Sequence, residues 1–165
     1  PLVSLNDPRL GGALDLTIDG ADEVDPDWRL VKGGGAAMLA EKIVATASRR
    51  YAVVVGSSKL VRRLGERAPV PVEVVREARV TAANALSALG GEPELRMAKM
   101  KDGPVITDHG NLVLDVRFAT AFDPEEMERL IAVIPGVVAS GIFTVPVRDL
   151  FVGSGSGRVR HEERR

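Results

Sequence analysis

Apolar residues fall in short blocks along the chain, and the spacing inside each block separates strands from helices. Leu14 to Ile18 predicts a short strand running into an acidic turn, and Trp28 to Lys32 predicts another, stopped by Gly33. Ala36 to Arg50 is apolar at helical spacing, with Arg49 and Arg50 at the end where the helix dipole favours cations. "YAVVVG" from Tyr51 is a continuous β-branched run, the pattern of a parallel strand buried on both faces. "SSKLVRRLGE" opens on serines that can cap a helix and predicts one. Strand, loop and helix, repeated in that order, is the rhythm of an α/β layer.

The rhythm changes at "APVPVEVV", where Pro69 and Pro71 punctuate the chain. A strand over Val70–Val75 and a helix over Ala78–Leu89 come first. Two strands, Glu94–Lys99 and Asn111–Phe118, flank the polar turn "TDHGN". A helix then opens on Asp123-Pro124-Glu125-Glu126, with a capping aspartate, proline at the first position and acids in the first turn. Val137 to Thr144 is the last strand, completing β-α-β-β-α-β, the split βαβ or ferredoxin-like plan. "RDLFVGSGSGRVR" supplies a closing strand or hairpin. The expected fold class is therefore α/β: a Rossmann-like parallel layer from 1–68 plus 145–165, with an inserted α+β unit over 69–144.

Composition narrows the function classes. Hydrophobic residues are 45% and charged residues 27% of the 165, ordinary globular usage. A net charge of −1 leaves no basic footprint for nucleic acid or an anionic membrane. With no cysteine, disulfide frameworks, thiolate zinc sites and cysteine nucleophiles are excluded. No apolar run reaches the ~18 residues of a membrane span, and a cytoplasmic setting is expected. The chain opens on Pro1 rather than Met, as expected of a fragment or processed product.

Candidate chemistry gathers in two neighbouring loops. Asp19, Asp22, Glu23 and Asp25 follow a strand C-terminus, where open α/β sheets place ligands. Such oxygens suit a magnesium ion, acid/base work or sugar hydroxyls, and equally a solvated turn of aspartates. Lys32-Gly33-Gly34-Gly35 lies between a strand and a helix, where backbone N–H groups converge on an anion. It is neither a P-loop nor a GxGxxG. Glu41 lies within the apolar run "AAMLAEKIVATA", where burial lifts a carboxyl toward the range of a general base. Lys59, after the next strand, suits a phosphate contact or, taken alone, an exposed lysine at a helix start. His109, in a hairpin turn, and His161, in a charged tail, receive no role.

In order, "TIDGADEVDP", "LVKGGGAAMLAEKIVA", "GSSKLV" and "PVPVEVV" resemble type A ribose-5-phosphate isomerases. "LGG.PELR", "ITDHGN", "LVLDV" and "IPGVV.SGIF" extend the resemblance over nearly the whole chain. It implies interconversion of D-ribose 5-phosphate and D-ribulose 5-phosphate in the pentose phosphate pathway. It places the catalytic base on Glu41, and the chemistry of an aldose–ketose isomerase then makes Asp19 the candidate to serve the substrate oxygens and Lys32 the one to offset charge on the enediolate. It places substrate binding on Asp19, Gly20, Ala21, Asp22, Lys32, Gly33, Gly34, Gly35 and Lys59. It implies no metal and no organic cofactor, and a homodimer or homotetramer, formed through the α+β unit.

Two departures stand beside it. The family carries a first strand and a Ser-Gly-Ser-Thr-type phosphate loop ahead of "PL.SLND", so a truncated enzyme is expected. Gly56 replaces a commonly acidic residue. The alternatives are a deaminase or CoA transferase of similar fold, whose own motifs are not seen, and a catalytically silent sugar-phosphate-binding fragment.

Overall fold

The computed structural model describes residues 2–100 and 102–164. Pro1 and Arg165, the outer limits of the expected first unit, lie outside the described residues, as does Lys101. Strands β1 (Leu14–Asp19), β2 (Glu23–Val24) and β3 (Leu30–Val31) precede helix α1 (Met38–Ala47) and strand β4 (Ser48–Gly56). Strand β5 (Val70–Val74), helix α2 (Arg79–Ala88), strands β6 (Gly91–Leu95) and β7 (Leu112–Phe118) and helix α3 (Pro124–Ala132) come next. The chain closes with β8 (Val137–Ser140), β9 (Ile142–Phe143), β10 (Asp149–Gly153) and β11 (Val159–Glu163).

Three sheets result. In the first, ordered β1-β4-β10-β11, the first three strands are parallel and β11 is antiparallel. Thus the chain returns to its first sheet after residues 70–140 have built another. That second sheet, ordered β6-β7-β5-β8, is antiparallel throughout and carries the expected split βαβ plan. A small third sheet, β2-β3-β9, was not foreseen.

The antiparallel sheet is covered on both faces. Val72, Val74 and Val116 pack with Leu86 of α2 and Ile131 of α3. Val113 and Ala139, on the opposite face, join Met38 of α1, Val53, Phe143 and Leu150 in a second core. Alternation along β5 therefore puts Glu73 in the interior, where its Oε1 accepts from Thr107 Oγ1 at 2.8 Å and Asn111 Nδ2 at 2.9 Å.

Several local expectations yield to tertiary pairing. The helix expected to reach Arg50 stops at Ala47, because Ser48 and Arg50 pair with Leu14 and Leu16 as the start of β4. "SSKLVRRLGE" forms only a 3-10 turn at Ser57–Lys59. The backbone of residues 65–68 wraps around the buried Glu23, whose carboxylate accepts from Gly65 N and Arg67 N at 2.6 Å and Ala68 N at 2.7 Å. Trp28 leaves the strand region at φ +65, closing a turn with its N–H on Asp25 O at 3.0 Å.

β6 lies earlier than expected, pairing Gly91–Leu95 with Phe118–Leu114, and Gly91 leaves room for Val116: a Cβ there would lie 2.4 Å from Val116 Cγ1. The last strand breaks at Gly141, where a Cβ would meet Lys32 O at 2.3 Å. Its halves join different sheets. Finally, β4 is not buried on both faces: Val54 is half exposed, as are Leu16 and Ile18 of β1 beside it. Helix α1 packs against the other face of β1, where Thr17 Oγ1 donates to Val44 O at 3.3 Å.

Candidate active site

The carboxyl end of β1 delivers Asp19 to the rim of the parallel sheet, and the end of β3 delivers Lys32 beside it. The lysine is nearly inaccessible at 3% exposure, so its ammonium has to be satisfied by the protein. Its Nζ lies 2.9 Å from Asp19 Oδ2 and 3.6 Å from Glu41 Oε1, and also donates to Gly20 O. A buried cation thus stands between two carboxylates, one from a strand end and one from the first turn of α1.

Asp19, Gly20, Ala21, Asp22, Lys32, Gly33, Gly34, Gly35 and Glu41 together line a cleft of about 230 Å³. All the expected site residues except Lys59 therefore meet in one place. Lys59 is exposed on the 3-10 turn after β4 and is not among the lining residues.

Glu41 has the most telling electrostatics. Burial pushes its carboxyl above the ordinary glutamate value, the Lys32 ammonium pulls it down, and the negative charge of Asp19 pushes it up again. The net displacement is upward. Its Oε2 is buried without a hydrogen-bond partner, leaving one oxygen uncommitted. Beneath, the buried Tyr51 hydroxyl also lacks a partner. Burial, with the charges of Asp19 and Glu41, drives that phenol's pKa upward and keeps it neutral.

The acidic cluster separates into two roles. Asp19 and Asp22 face the cleft, whereas Glu23 and Asp25 hold backbone. Asp25 Oδ1 accepts from Asp27 N and Arg29 N at 2.9 Å, and its Oδ2 takes Arg29 Nε at 2.7 Å. Among the described residues, no group of three or more His, Asp or Glu side chains has an arrangement able to hold a metal ion.

The glycine loop is held from both sides. Gly34 N donates to Asp22 Oδ2 at 2.8 Å. From the α+β side, Arg96 Nη1 donates to Gly33 O at 2.8 Å and Gly34 O at 3.1 Å. Arg96 carried no assignment from sequence; the available signal was an arginine at the end of the "PELR" strand, within the resemblance. Gly33 sits at φ +100, and a Cβ there would lie 2.7 Å from Met38 Cε, so the loop's entry demands glycine.

Comparison with known proteins identifies the family. The family profile of ribose 5-phosphate isomerase A (phosphoriboisomerase A) matches residues 1–157. A ribose-5-phosphate isomerase A from Thermosynechococcus vestitus is 56% identical over 153 residues, 93% of this chain. The chain spans 64% of that relative's length. The solved ribose 5-phosphate isomerase A of Methanocaldococcus jannaschii superposes with a TM-score of 0.86 at 44% identity, over 92% of this chain and 67% of that one. A D-ribose-5-phosphate isomerase solved in complex with phospho-erythronic acid superposes with a TM-score of 0.87 at 43% identity, over 92% of this chain and 66% of that one. With the profile spanning nearly every residue and the strand-end carboxylates, buried lysine and glycine loop in one cleft, this chain belongs to the ribose 5-phosphate isomerase A family.

Proposed function

We propose that the chain interconverts D-ribose 5-phosphate and D-ribulose 5-phosphate through an enediolate, as the isomerase step of the pentose phosphate pathway. The observation that carries this reading is the buried Lys32 ammonium between Asp19 and Glu41 in a cleft floored by glycines. An aldose–ketose isomerase needs three things there: a base for a carbon-bound proton, a group for the oxygens, and a charge to meet the enediolate.

Glu41 takes the proton from C2 of the open-chain aldose. The C–H electrons form the C1–C2 double bond, and the carbonyl pair moves onto O1. Lys32 stabilises that oxyanion, as a preorganised donor does. Asp19 serves ring opening and the proton exchange between O1 and O2. Protonated Glu41 then returns its proton to C1, leaving the ketone at C2 and restoring the carboxylate. A lifted pKa suits Glu41 to both halves of that cycle. Asp22 accepts from a sugar hydroxyl through Oδ1, the oxygen that Gly34 N leaves free, and Lys59 with the loop amides holds the phosphate. The relative bound to phospho-erythronic acid, a phosphorylated sugar acid, supports this substrate class. A cytoplasmic homodimer or homotetramer, associating through the α+β unit, belongs to the same proposal, as does a division of the chain at 68/69 and 144/145.

The test is conversion of ribose 5-phosphate by the 165-residue chain with chelator present, beside Glu41→Gln. Turnover that disappears in the variant supports the proposal. Phospho-erythronic acid binding without turnover in the parent chain identifies a silent sugar-phosphate-binding unit instead.

A further inference from the structure

Gly33 to Ala36 is a tight turn, closed by Ala36 N donating to Gly33 O at 2.9 Å. Its central peptide, between Gly34 and Gly35, is the one that flips when a type I turn becomes type II. With glycine on both sides, neither state is sterically penalised. Something outside the turn has to choose. Arg96 Nη1 donates to Gly34 O at 3.1 Å while holding Gly33 O at 2.8 Å. Because C=O and N–H point in opposite directions across a planar trans peptide, this sends the Gly34 and Gly35 N–H groups away from the guanidinium. The first is found on Asp22 Oδ2 at 2.8 Å. For the second, no acceptor exists among the described residues, and Gly35 lines the cleft with open space on its Cα.

We infer that Arg96 is a positioning residue that locks the central peptide of the glycine turn, so that the Gly35 N–H faces the cleft as a fixed donor to an anionic substrate oxygen. The inference rests on reading the cleft as a sugar-phosphate site. Arg96 is absent from the cleft lining, so it acts only through the loop. Its own placement comes from Asp115 on β7. Arg96 Nε donates to Oδ2 at 2.8 Å and Nη2 to Oδ1, with both side chains largely buried. The fork thus spends two donors on its anchor and two on the turn. A lysine cannot span both, since its donors share one nitrogen. If the lock is lost, the Gly34 carbonyl can swing toward the cleft and present negative charge where the substrate carries its own.

The test compares Arg96→Met, Arg96→Lys and Asp115→Asn with the parent chain. The residual dipolar coupling of the Gly35 N–H reports the orientation of that bond without any substrate. It is expected to change in all three variants. Low-millimolar guanidinium should restore it in Arg96→Met. Phospho-erythronic acid affinity is expected to fall about tenfold in the same variants, the scale of one hydrogen bond to a charged group. Should Arg96→Met fail to fold, Asp115→Asn decides, because it retains the guanidinium and frees only its anchor. An unchanged Gly35 coupling in a folded variant, or unchanged affinity, overturns the inference. If the parent chain binds no phospho-erythronic acid, the proposed function fails instead, and the coupling still decides the role of Arg96.

Discussion

Lys32 holds its ammonium 3.6 Å from one oxygen of Glu41 while the other oxygen stays buried and unpartnered. A closer, bidentate pair would depress the carboxyl and commit both oxygens. Here the lysine's nearer partner is Asp19, at 2.9 Å, so Glu41 feels the cation without being consumed by it. The carboxylate is left basic and available.

That balance sets a pH dependence. Burial and then Asp19 raise the Glu41 carboxyl, and Lys32 lowers it, with the net shift upward. Asp19→Asn removes a like charge and is expected to move the Glu41 titration to lower pH, and Lys32→Met to higher pH. Side-chain carbon NMR through the titration measures both. A raised folded-state pKa contributes stability fully present below the ordinary glutamate value and lost as pH rises through the folded one. Glu41→Gln should therefore be more stable than the parent at neutral pH, read as a higher urea midpoint.

Glu23 is a structural carboxylate in an acidic cluster. It is 1% exposed and takes three backbone N–H groups of the 65–68 segment. Glu23→Ala strips three buried donors of a charged acceptor and is expected to cost about 4 kcal/mol. Urea denaturation checks this, and Asp22→Ala, facing the cleft, should cost much less.

The three loop glycines differ in kind. Gly33→Ala meets Met38 and a positive φ, and should cost on the order of 1–3 kcal/mol of stability. Gly34→Ala drives a Cβ to 2.9 Å from Asp22 Oδ1, displacing the carboxylate from the cleft wall. At Gly35 a Cβ meets open space, so Gly35→Ala should keep stability within about 0.5 kcal/mol while weakening phospho-erythronic acid binding. Thermal melts and titration calorimetry separate the three.

Asp149, at the start of β10 between β4 and β11, is expected to set the acid stability of the first sheet. Arg50 donates two hydrogen bonds to it, at 2.5 and 2.6 Å, and His161 lies 2.9 Å away, stacked on Phe151. The hydrogen bonds from Arg50 bring its carboxyl down to about 2. A depressed pKa contributes stability present above the ordinary aspartate value and lost as pH falls through the folded one. Asp149→Asn should flatten the stability profile between about pH 4 and pH 2, measured by denaturant midpoints across that range.

Much of this site was legible because its signals are local. A glycine run between strand and helix, a lysine before it and a glutamate one turn into the helix lie within a dozen residues of one another. Their convergence with Asp19 follows from the rule that strand ends share a rim. Arg96 was silent for the opposite reason, since its partners Gly33 and Gly34 are more than sixty residues away.

By itself, the sequence determined the α/β class, the βαββαβ plan of the inserted unit and the nearness of the glycine loop to Lys32 and Glu41, because period, capping and glycine placement act through near neighbours. Only the tertiary structure decided which acids face the cleft, and where helix α1 gives way to β4. It alone broke the last strand at Gly141 and wound residues 65–68 onto Glu23. Each of those depends on a backbone or carboxylate partner distant in sequence, and no local pattern encodes what the far side of a contact will be.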